Sequence, residues 1–503
     1  MSEKAKKGFK MPSSYTVLLI IIAIMAVLTW FIPAGAFIEG IYEAQPQNPQ
    51  GIWDVLMAPI RAILGTHPEE GSLIKETSAA IDVAFFILMV GGFLGIVNKT
   101  GALDVGIASI VKKYKGREKM LILVLMPLFA LGGTTYGMGE ETMAFYPLLV
   151  PVMMAVGFDS LTGVAIILLG SQIGCLASTL NPFATGIASA TAGVGTGDGI
   201  VLRLIFWVTL TALSTWFVYR YADKIQKDPT KSLVYSTRKE DLKHFNVEES
   251  SSVESTLSSK QKSVLFLFVL TFILMVLSFI PWTDLGVTIF DDFNAWLTGL
   301  PVIGNIVGSS TSALGTWYFP EGAMLFAFMG ILIGVIYGLK EDKIISSFMN
   351  GAADLLSVAL IVAIARGIQV IMNDGMITDT ILNWGKEGLS GLSSQVFIVV
   401  TYIFYLPMSF LIPSSSGLAS ATMGIMAPLG EFVNVRPSLI ITAYQSASGV
   451  LNLIAPTSGI VMGALALGRI NIGTWWKFMG KLVVAIIVVT IALLLLGTFL
   501  PFL

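Results

Sequence analysis

The sequence predicts an all-α polytopic membrane protein, with about nine transmembrane helices and two re-entrant hairpins disposed as two inverted repeats. Three observations carry that prediction: the composition, the lengths of the apolar runs, and the distribution of Lys and Arg between them. Of 503 residues, 55% are hydrophobic and 12% are charged, with a mean hydropathy of +0.81. A soluble globular chain carries about 25% charge. The near-neutral balance of −2 speaks against a nucleic-acid partner. Cys175 is the single cysteine, which excludes a disulfide framework and a multi-cysteine metal site. The two histidines, His67 and His244, lie in polar segments, and no metal site or cofactor is expected.

Crossing a bilayer takes about 17 to 25 apolar residues. Nine runs qualify: 15–37, 79–98, 161–195, 200–220, 263–281, 321–338, 352–372, 437–470 and 477–501. The first follows Lys4, Lys6, Lys7 and Lys10, like the start of a signal peptide. It ends in Trp30-Phe31-Ile32-Pro33 without a small-residue cleavage site, so it reads as a retained helix. Runs 161–195 and 437–470 are over-long and interrupted, and are expected to be broken helices. Two further stretches, 119–157 and 395–434, are split by polar and glycine-rich residues into short arms that suit re-entrant hairpins.

With a cytoplasmic N-terminus, 24 of the 30 Lys and Arg fall in inner segments and five in outer ones, leaving Arg366 inside a span. That asymmetry supports nine crossings and an external C-terminus. Residues 223–262, rich in Lys, Glu and Ser, read as a mobile cytoplasmic linker. The outer loops 37–78 and 282–320 hold enough Trp, Pro and Gly for short interfacial helices.

At an offset of 274 residues, Gly101 falls on Gly375 and Pro182 on Pro456. Hairpin then overlies hairpin and broken run overlies broken run, while runs 79–98 and 352–372 are each followed by an amphipathic stretch, 102–119 and 376–395. The first of these runs passes outside to inside and the second inside to outside, so the repeats are inverted. The first repeat is 1–222, the run 263–281 is a connecting helix that flips the second half, and the second repeat is 321–503. Inverted repeats with paired discontinuous helices mark secondary transporters, in which matched breaks meet near the midplane at the substrate. A channel or a transport-derived sensor is the reading from another class.

The first hairpin turns through Gly132-Gly133-Thr134-Thr135-Tyr136-Gly137-Met138-Gly139-Glu140-Glu141-Thr142. Glycines admit close approach of a ligand to backbone, and a helix start offers free N–H groups. An ionised side chain at mid-membrane depth costs at least about 2.5 to 3.5 kcal/mol, so Glu140 and Glu141 require a partner or a wet cavity. With Tyr136 and Gly137 beside them, they are expected to receive a cationic substrate group or a coupling ion. The structural alternative is a helix-start cap or a pair with Arg366. At the matching place the second hairpin has Ser414, Ser415 and Ser416, whose hydroxyls and helix-start N–H groups suit a carboxylate. They could equally serve only the turn.

The broken runs present Ser178, Thr179 and Asn181 before Pro182, and Asn452, Thr457 and Ser458 about Pro456. Proline frees carbonyls there, and these side chains supply donors and acceptors for a ligand. Packed kinks whose hydroxyls bond back to the helix are the competing reading. Arg366 is expected to pair with Glu140 or Glu141, the alternatives being a substrate carboxylate or a tethered cation in place of absent substrate. Gly195-Thr196-Gly197-Asp198 matches a short pattern of intramembrane aspartyl proteases, yet no partner Asp sits in a neighbouring span, so an enzyme is not expected. No GxxxxGK[ST] loop exists, which excludes an ATP-driven pump on this chain.

Two stretches are long enough to be specific, Gly133-Thr134-Thr135-Tyr136-Gly137-Met138-Gly139-Glu140-Glu141 and Asn181-Pro182-Phe183-Ala184-Thr185-Gly186. With Pro33-Ala34-Gly35, Gly91-Gly92-Phe93 and Asn98-Lys99-Thr100-Gly101-Ala102, they extend over nearly the whole chain. On these stretches the chain resembles the four-carbon-dicarboxylate-carrier-like (DcuC/YfcC-like) family of the ion transporter superfamily, and within it the arginine/ornithine antiporters of the arginine deiminase pathway. The resemblance implies an elevator-type carrier, a homodimer in the lipid bilayer, with hairpins and broken helices in a moving transport domain. It implies exchange of extracellular arginine for cytoplasmic ornithine. Both carry one net positive charge, so a one-for-one swap moves no charge. Dicarboxylate carriers share the scaffold, and the alternative is a sodium- or proton-coupled dicarboxylate symporter. There Arg366 and Ser414 to Ser416 would bind carboxylates while Glu140 or Glu141 holds the cation.

Overall fold

The structure, a computed structural model, describes residues 14–500 apart from 39–40, 70–71, 78, 104, 107–115, 246, 248–257, 281, 284–285, 309 and 390. Among the described residues, eight helices are long and apolar enough to cross a membrane: Ile81–Lys99, Ile200–Lys227, Ser259–Phe279, Phe319–Tyr337, Glu341–Asp374, Ser394–Leu411, Pro437–Leu467 and Ile472–Phe499. The protein is a multi-pass helical membrane protein.

Lipid tails are as apolar as Leu, so helices in a bilayer associate through close packing rather than through a hydrophobic drive. Ile81–Lys99 and Glu341–Asp374 meet this demand with glycine on both faces. A Cβ on Gly351 would stand 2.2 Å from the Gly91 carbonyl oxygen, and one on Gly95 would stand 2.2 Å from the Ser347 carbonyl oxygen. Around this contact, Phe93 stacks on Phe268 at 5.6 Å between centroids and meets Phe326 edge-on at 5.2 Å. Those rings tie Ser259–Phe279 and Phe319–Tyr337 to the same body.

The second packed group centres on the helix Ser160–Leu176. It is largely apolar with no amphipathic stripe, and all its residues but Cys175 are buried. It packs against both Met120–Tyr136 and Pro437–Ile454. The first hairpin closes with a 3-10 turn Glu140–Phe145 and the helix Tyr146–Ala155, and the second consists of Ser394–Leu411 and Ser415–Phe432. The two broken helices are Ser160–Leu176 followed by a π turn Pro182–Gly186 and Ile187–Ala192, and Pro437–Ile454 followed by Gly459–Leu467.

Several boundaries differ from expectation. The helix expected over 15–37 spans Ser14–Leu28, short of a full crossing, and hydrogen-bonded turns carry it to Ile32. Pro33 stops it there because it has no N–H and disfavours a helical residue before it. Gly35–Ile38 then forms a strand antiparallel to Ile41–Ala44, with Gly35 opposite Ala44. The run 352–372 belongs to a 34-residue helix that also takes in residues 341–351. The eight long helices include the first arm of the second hairpin, whereas Ser160–Leu176 and the first helix fall below crossing length. The amphipathic stretch 376–395 folds as Thr378–Leu389, and most of its counterpart in 102–119 lies outside the described residues. Short helices Ile52–Leu64, Ile289–Gly299 and Ile303–Val307 form within the connections 37–78 and 282–320, where short helices are expected.

The expected mobile linker is corrected over 228–245. Asp159, the N-cap of Ser160–Leu176, accepts from Tyr221 Oη at 2.7 Å and from Ser232 Oγ at 2.6 Å. Buried Asp241 accepts from Thr237 Oγ1 at 2.9 Å and pairs with Arg469 Nε at 3.3 Å. Two buried carboxylates thus pin a segment whose composition alone reads as solvated, because composition does not reveal which charges find fixed partners. Residues 248–257 of that linker lie outside the described residues.

Replacing Gly351 by Ala should lower thermal stability by about 1 to 3 kcal/mol through overpacking against the Gly91 carbonyl. Gly480→Ala, on a helix position with nothing within 4 Å of the added Cβ, should be neutral or slightly stabilising. Melting of the two purified variants in the same detergent checks the pair.

Candidate functional site

Gly137 ends the first arm of the first hairpin in the left-handed region, at φ +80°, where its N–H and that of Met138 return to the Gly133 and Gly132 carbonyls. A Cβ at Gly137 would also stand 2.5 Å from Asn181 Oδ1, so the turn admits no larger residue. The chain then turns at Gly139, and the two glutamates part company. Glu141 is 4% exposed, and its Oε2 folds back to accept the Gly139 N–H at 2.8 Å. Thr142 completes the turn, its Oγ1 donating to the Gly139 carbonyl at 2.6 Å. Glu140 makes no hydrogen bond or ion pair with any described residue and lines a cavity. The side chain of Tyr136 lies outside what the structure describes.

The first break is held from two sides. Thr134 of the hairpin donates through Oγ1 to the Ala177 carbonyl at 2.6 Å, and its own carbonyl accepts the Thr179 N–H at 2.9 Å and Thr179 Oγ1 at 3.0 Å. Asn181 Oδ1 caps the π turn by accepting the N–H groups of Phe183 and Ala184, while its Nδ2 donates to Ser178 Oγ at 3.1 Å. From the other broken helix, Gln445 donates through Nε2 to the Ser178 carbonyl at 2.9 Å and accepts from Thr185 Oγ1 at 2.8 Å. The Ala177 and Ser178 carbonyls and the Thr179, Phe183 and Ala184 N–H groups thereby gain fixed partners, as burial requires.

The second break is satisfied differently. The indole N–H groups of Trp475 and Trp476 donate to the Leu453 and Ile454 carbonyls at 2.8 and 2.9 Å. Ser458 then caps Gly459–Leu467. The buried hydroxyl of Thr457 has no hydrogen-bond partner. At the second tip, Ser414 caps its helix by accepting the Gly417 N–H at 3.2 Å. Tyr444 Oη donates to the Ser415 carbonyl at 2.5 Å, and the Ser415 and Ser448 hydroxyls lie 3.4 Å apart.

Both tips and both breaks face one cavity of about 280 Å³. Of the residues singled out from sequence, Gly137, Glu140, Glu141, Asn181, Arg366, Ser414, Ser415, Ser416, Asn452 and Thr457 line it. Ser178, Thr179 and Ser458 do not, and serve instead the backbone bonds just described. Sequence reasoning missed Gln172, Gln369, Gln445 and Ser448. A signal existed for the last three. Gln445, Ser448 and Asn452 recur at helical spacing on one face of their helix, and Gln369 stands one turn beyond Arg366.

The expected pairing of Arg366 with Glu140 or Glu141 is not among the ion pairs of the described residues. Its Nη1 donates to the Ala79 carbonyl at 2.7 Å, because the long helix carries the guanidinium beside the start of Ile81–Lys99. The charged side chains lining the cavity are Glu140, Glu141 and Arg366. Polar groups otherwise come from amides, hydroxyls and three helix starts, at Glu140, Ser415 and Gly459. Such a cavity can hold a small zwitterion with a carboxylate at one tip and a cationic group at the other.

Residues 11–499 match the DcuC family, described as C4-dicarboxylate anaerobic carrier. An uncharacterized protein of Haemophilus influenzae is 32% identical, with 95% of each chain covered. A protein of Escherichia coli K12 bearing the name "Putative basic amino acid antiporter YfcC" is 29% identical, with 98% of each covered. Among solved structures, the Alcanivorax borkumensis YdaH transporter is 15% identical at a TM-score of 0.43, covering 97% of this chain and 98% of that one. Neisseria gonorrhoeae MtrF, from a class of antimetabolite efflux pumps, is 17% identical at 0.44, covering 98% and 96%.

Glu141→Ala should destabilise the protein by about 1 to 3 kcal/mol, since it orphans the buried Gly139 N–H. Glu141→Gln keeps an acceptor oxygen at that place and should melt close to wild type. Equal melting temperatures for the two variants would show that the turn does not depend on that bond.

Proposed function

This chain belongs to the DcuC family of membrane transporters, and on that footing we propose that it exchanges extracellular arginine for cytoplasmic ornithine. The observation that carries the reading is the state of Glu140: a carboxylate on the cavity wall with no hydrogen-bond or ion-pair partner among the described residues, beside a second carboxylate that the turn already uses. A guanidinium or ammonium leaving water needs a countercharge, and Glu140 offers one. The Ser414 to Ser416 tip, with hydroxyls and the N–H groups of a helix start, suits the substrate carboxylate. The name printed for the Escherichia coli relative agrees with a basic amino acid.

The carrier works as an elevator within a homodimer, its two inverted repeats supplying one hairpin and one broken helix each to a moving domain. The matched elements 119–157 with 395–434 and 161–195 with 437–470, joined through the linker 223–262 and the connecting helix 263–281, support that reading. The N-terminus is cytoplasmic and the C-terminus external, on the charge count. A second reading has its own support. The family description names C4-dicarboxylates, and Arg366 stands on the cavity wall, as a cation-coupled dicarboxylate symporter would require.

Arginine uptake into proteoliposomes should depend on internal ornithine and ignore membrane potential; potential-driven uptake without internal substrate favours the symporter. Glu140→Gln should cut arginine exchange at least about tenfold, equal to roughly 1.4 kcal/mol, while the protein melts normally. Ser415→Ala should cost less, because neighbouring hydroxyls and N–H groups remain. Wild-type exchange by Glu140→Gln would remove the carboxylate from the mechanism.

A further inference from the structure

A second cavity, of about 550 Å³, lies beside the first at the end of Glu341–Asp374 that the charge count places outside. Gln369 lines both. Its amide lies against Gly417, where an added Cβ would stand 3.4 Å from Nε2. The Gln369 side chain and the start of Ser415–Phe432 therefore stand between the two spaces.

The outer wall of this cavity is built around Asp379. Asn373 Nδ2 donates to the carbonyl oxygens of Lys75 and Glu76 and to Thr77 Oγ1, each at 3.2 Å. That fixes residues 75–77 so that Lys75 Nζ reaches Asp379 Oδ1 at 2.5 Å. The other carboxylate oxygen accepts the Phe37 N–H at 3.2 Å. The pair is unequal: the Asp379 side chain is 7% exposed and that of Lys75 is 41% exposed. The carboxylate is part of the wall, whereas the ammonium sits on a flexible stem with water at hand. Beside them the hydroxyl of Thr378, itself buried and lining the cavity, has no hydrogen-bond partner among the described residues.

A buried carboxylate needs a cation, but a half-solvated lysine is a cation that can be exchanged. When a substrate cation takes its place, Asp379 keeps a countercharge and the lysine, already 41% exposed, returns to water. The free hydroxyl offers the entering group a further polar partner.

We propose that this outer cavity is an entry subsite for the cationic group of the substrate, held by Asp379 and Thr378, with Lys75 a tethered cation that occupies Asp379 while the subsite is empty. The proposal deepens the basic amino acid reading and rests on it. Gln369, shared by both cavities, lies on the path from this subsite to Glu140.

The test is the outer KM for arginine in intact cells, after wild-type exchange has been established. Asp379→Asn should raise that KM about fivefold or more, and Lys75→Met should lower it about twofold or more. Opposite signs are the signature, because a folding defect in either variant would not lower KM. If Asp379→Asn does not reach the membrane, Lys75→Met decides alone: a lowered KM supports the subsite, and an unchanged or raised KM overturns it. Unchanged KM in both variants overturns it as well. A reversed pair, lowered in Asp379→Asn and raised in Lys75→Met, overturns the cationic subsite in favour of an anion held by Lys75. Wild-type protein that exchanges no arginine fails on the substrate itself, before either variant is read.

Discussion

Everything in this structure follows from the absence of water around a backbone that is not continuously helical. In the hydrocarbon layer an unpaired N–H or C=O group costs several kcal/mol, so irregular chain survives only where protein groups replace the missing helical bonds. Thr134, Asn181 and Gln445 do this for the first break, and the indoles of Trp475 and Trp476 do it for the second. The donors and acceptors come from different parts of the chain. The Gln445 bonds to Ser178 and Thr185 fasten one broken helix to the other across more than 250 residues of sequence, |i−j| being 267 and 260.

That requirement explains why the cavity is polar without being densely charged. Side chains that stabilise the breaks are spent on the backbone, as Ser178, Thr179 and Ser458 are. The groups with capacity to spare are those the turns do not consume: Glu140, the Thr457 hydroxyl and the helix starts. Two adjacent glutamates thus acquire unlike positions from one local fact, the reach of Glu141 back to Gly139. In a 3-10 turn successive side chains leave the axis about 120° apart, so both residues border the cavity while only Glu141 reaches back to the backbone.

The packing around the cavity divides its labour in a similar way. Glycine contact between Ile81–Lys99 and Glu341–Asp374, backed by the Phe93 cluster, gives a body whose helices cannot slide without clash. The helix Ser160–Leu176 is buried along nearly its whole length and is pinned at its N-terminal end by Asp159. Arg366 and Gln369 look from the first of these groups onto the cavity, while Glu140, Asn181, Ser415 and Asn452 look onto it from the second. A ligand in the cavity would touch both.

The apolar runs located most of the long helices from sequence alone, because burying some twenty residues in lipid leaves a compositional trace that needs no knowledge of neighbours. Glycine, proline and hydroxyl clusters within those runs likewise located the tips and breaks, since only such residues tolerate the turns. Local pattern even pointed to most of the cavity wall, from Gly137 and Glu140 to Ser414 and Thr457. It did not reveal that Arg366 would turn to the Ala79 carbonyl, that Asp159 and Asp241 would bind down a charged connection, or that Gln172 would face the cavity. Those outcomes depend on which distant groups lie within about 3 Å, the range at which hydrogen bonds form. Sequence fixes which chemistry a residue carries, and only the folded chain decides whether that chemistry is consumed by a neighbour or left facing the cavity.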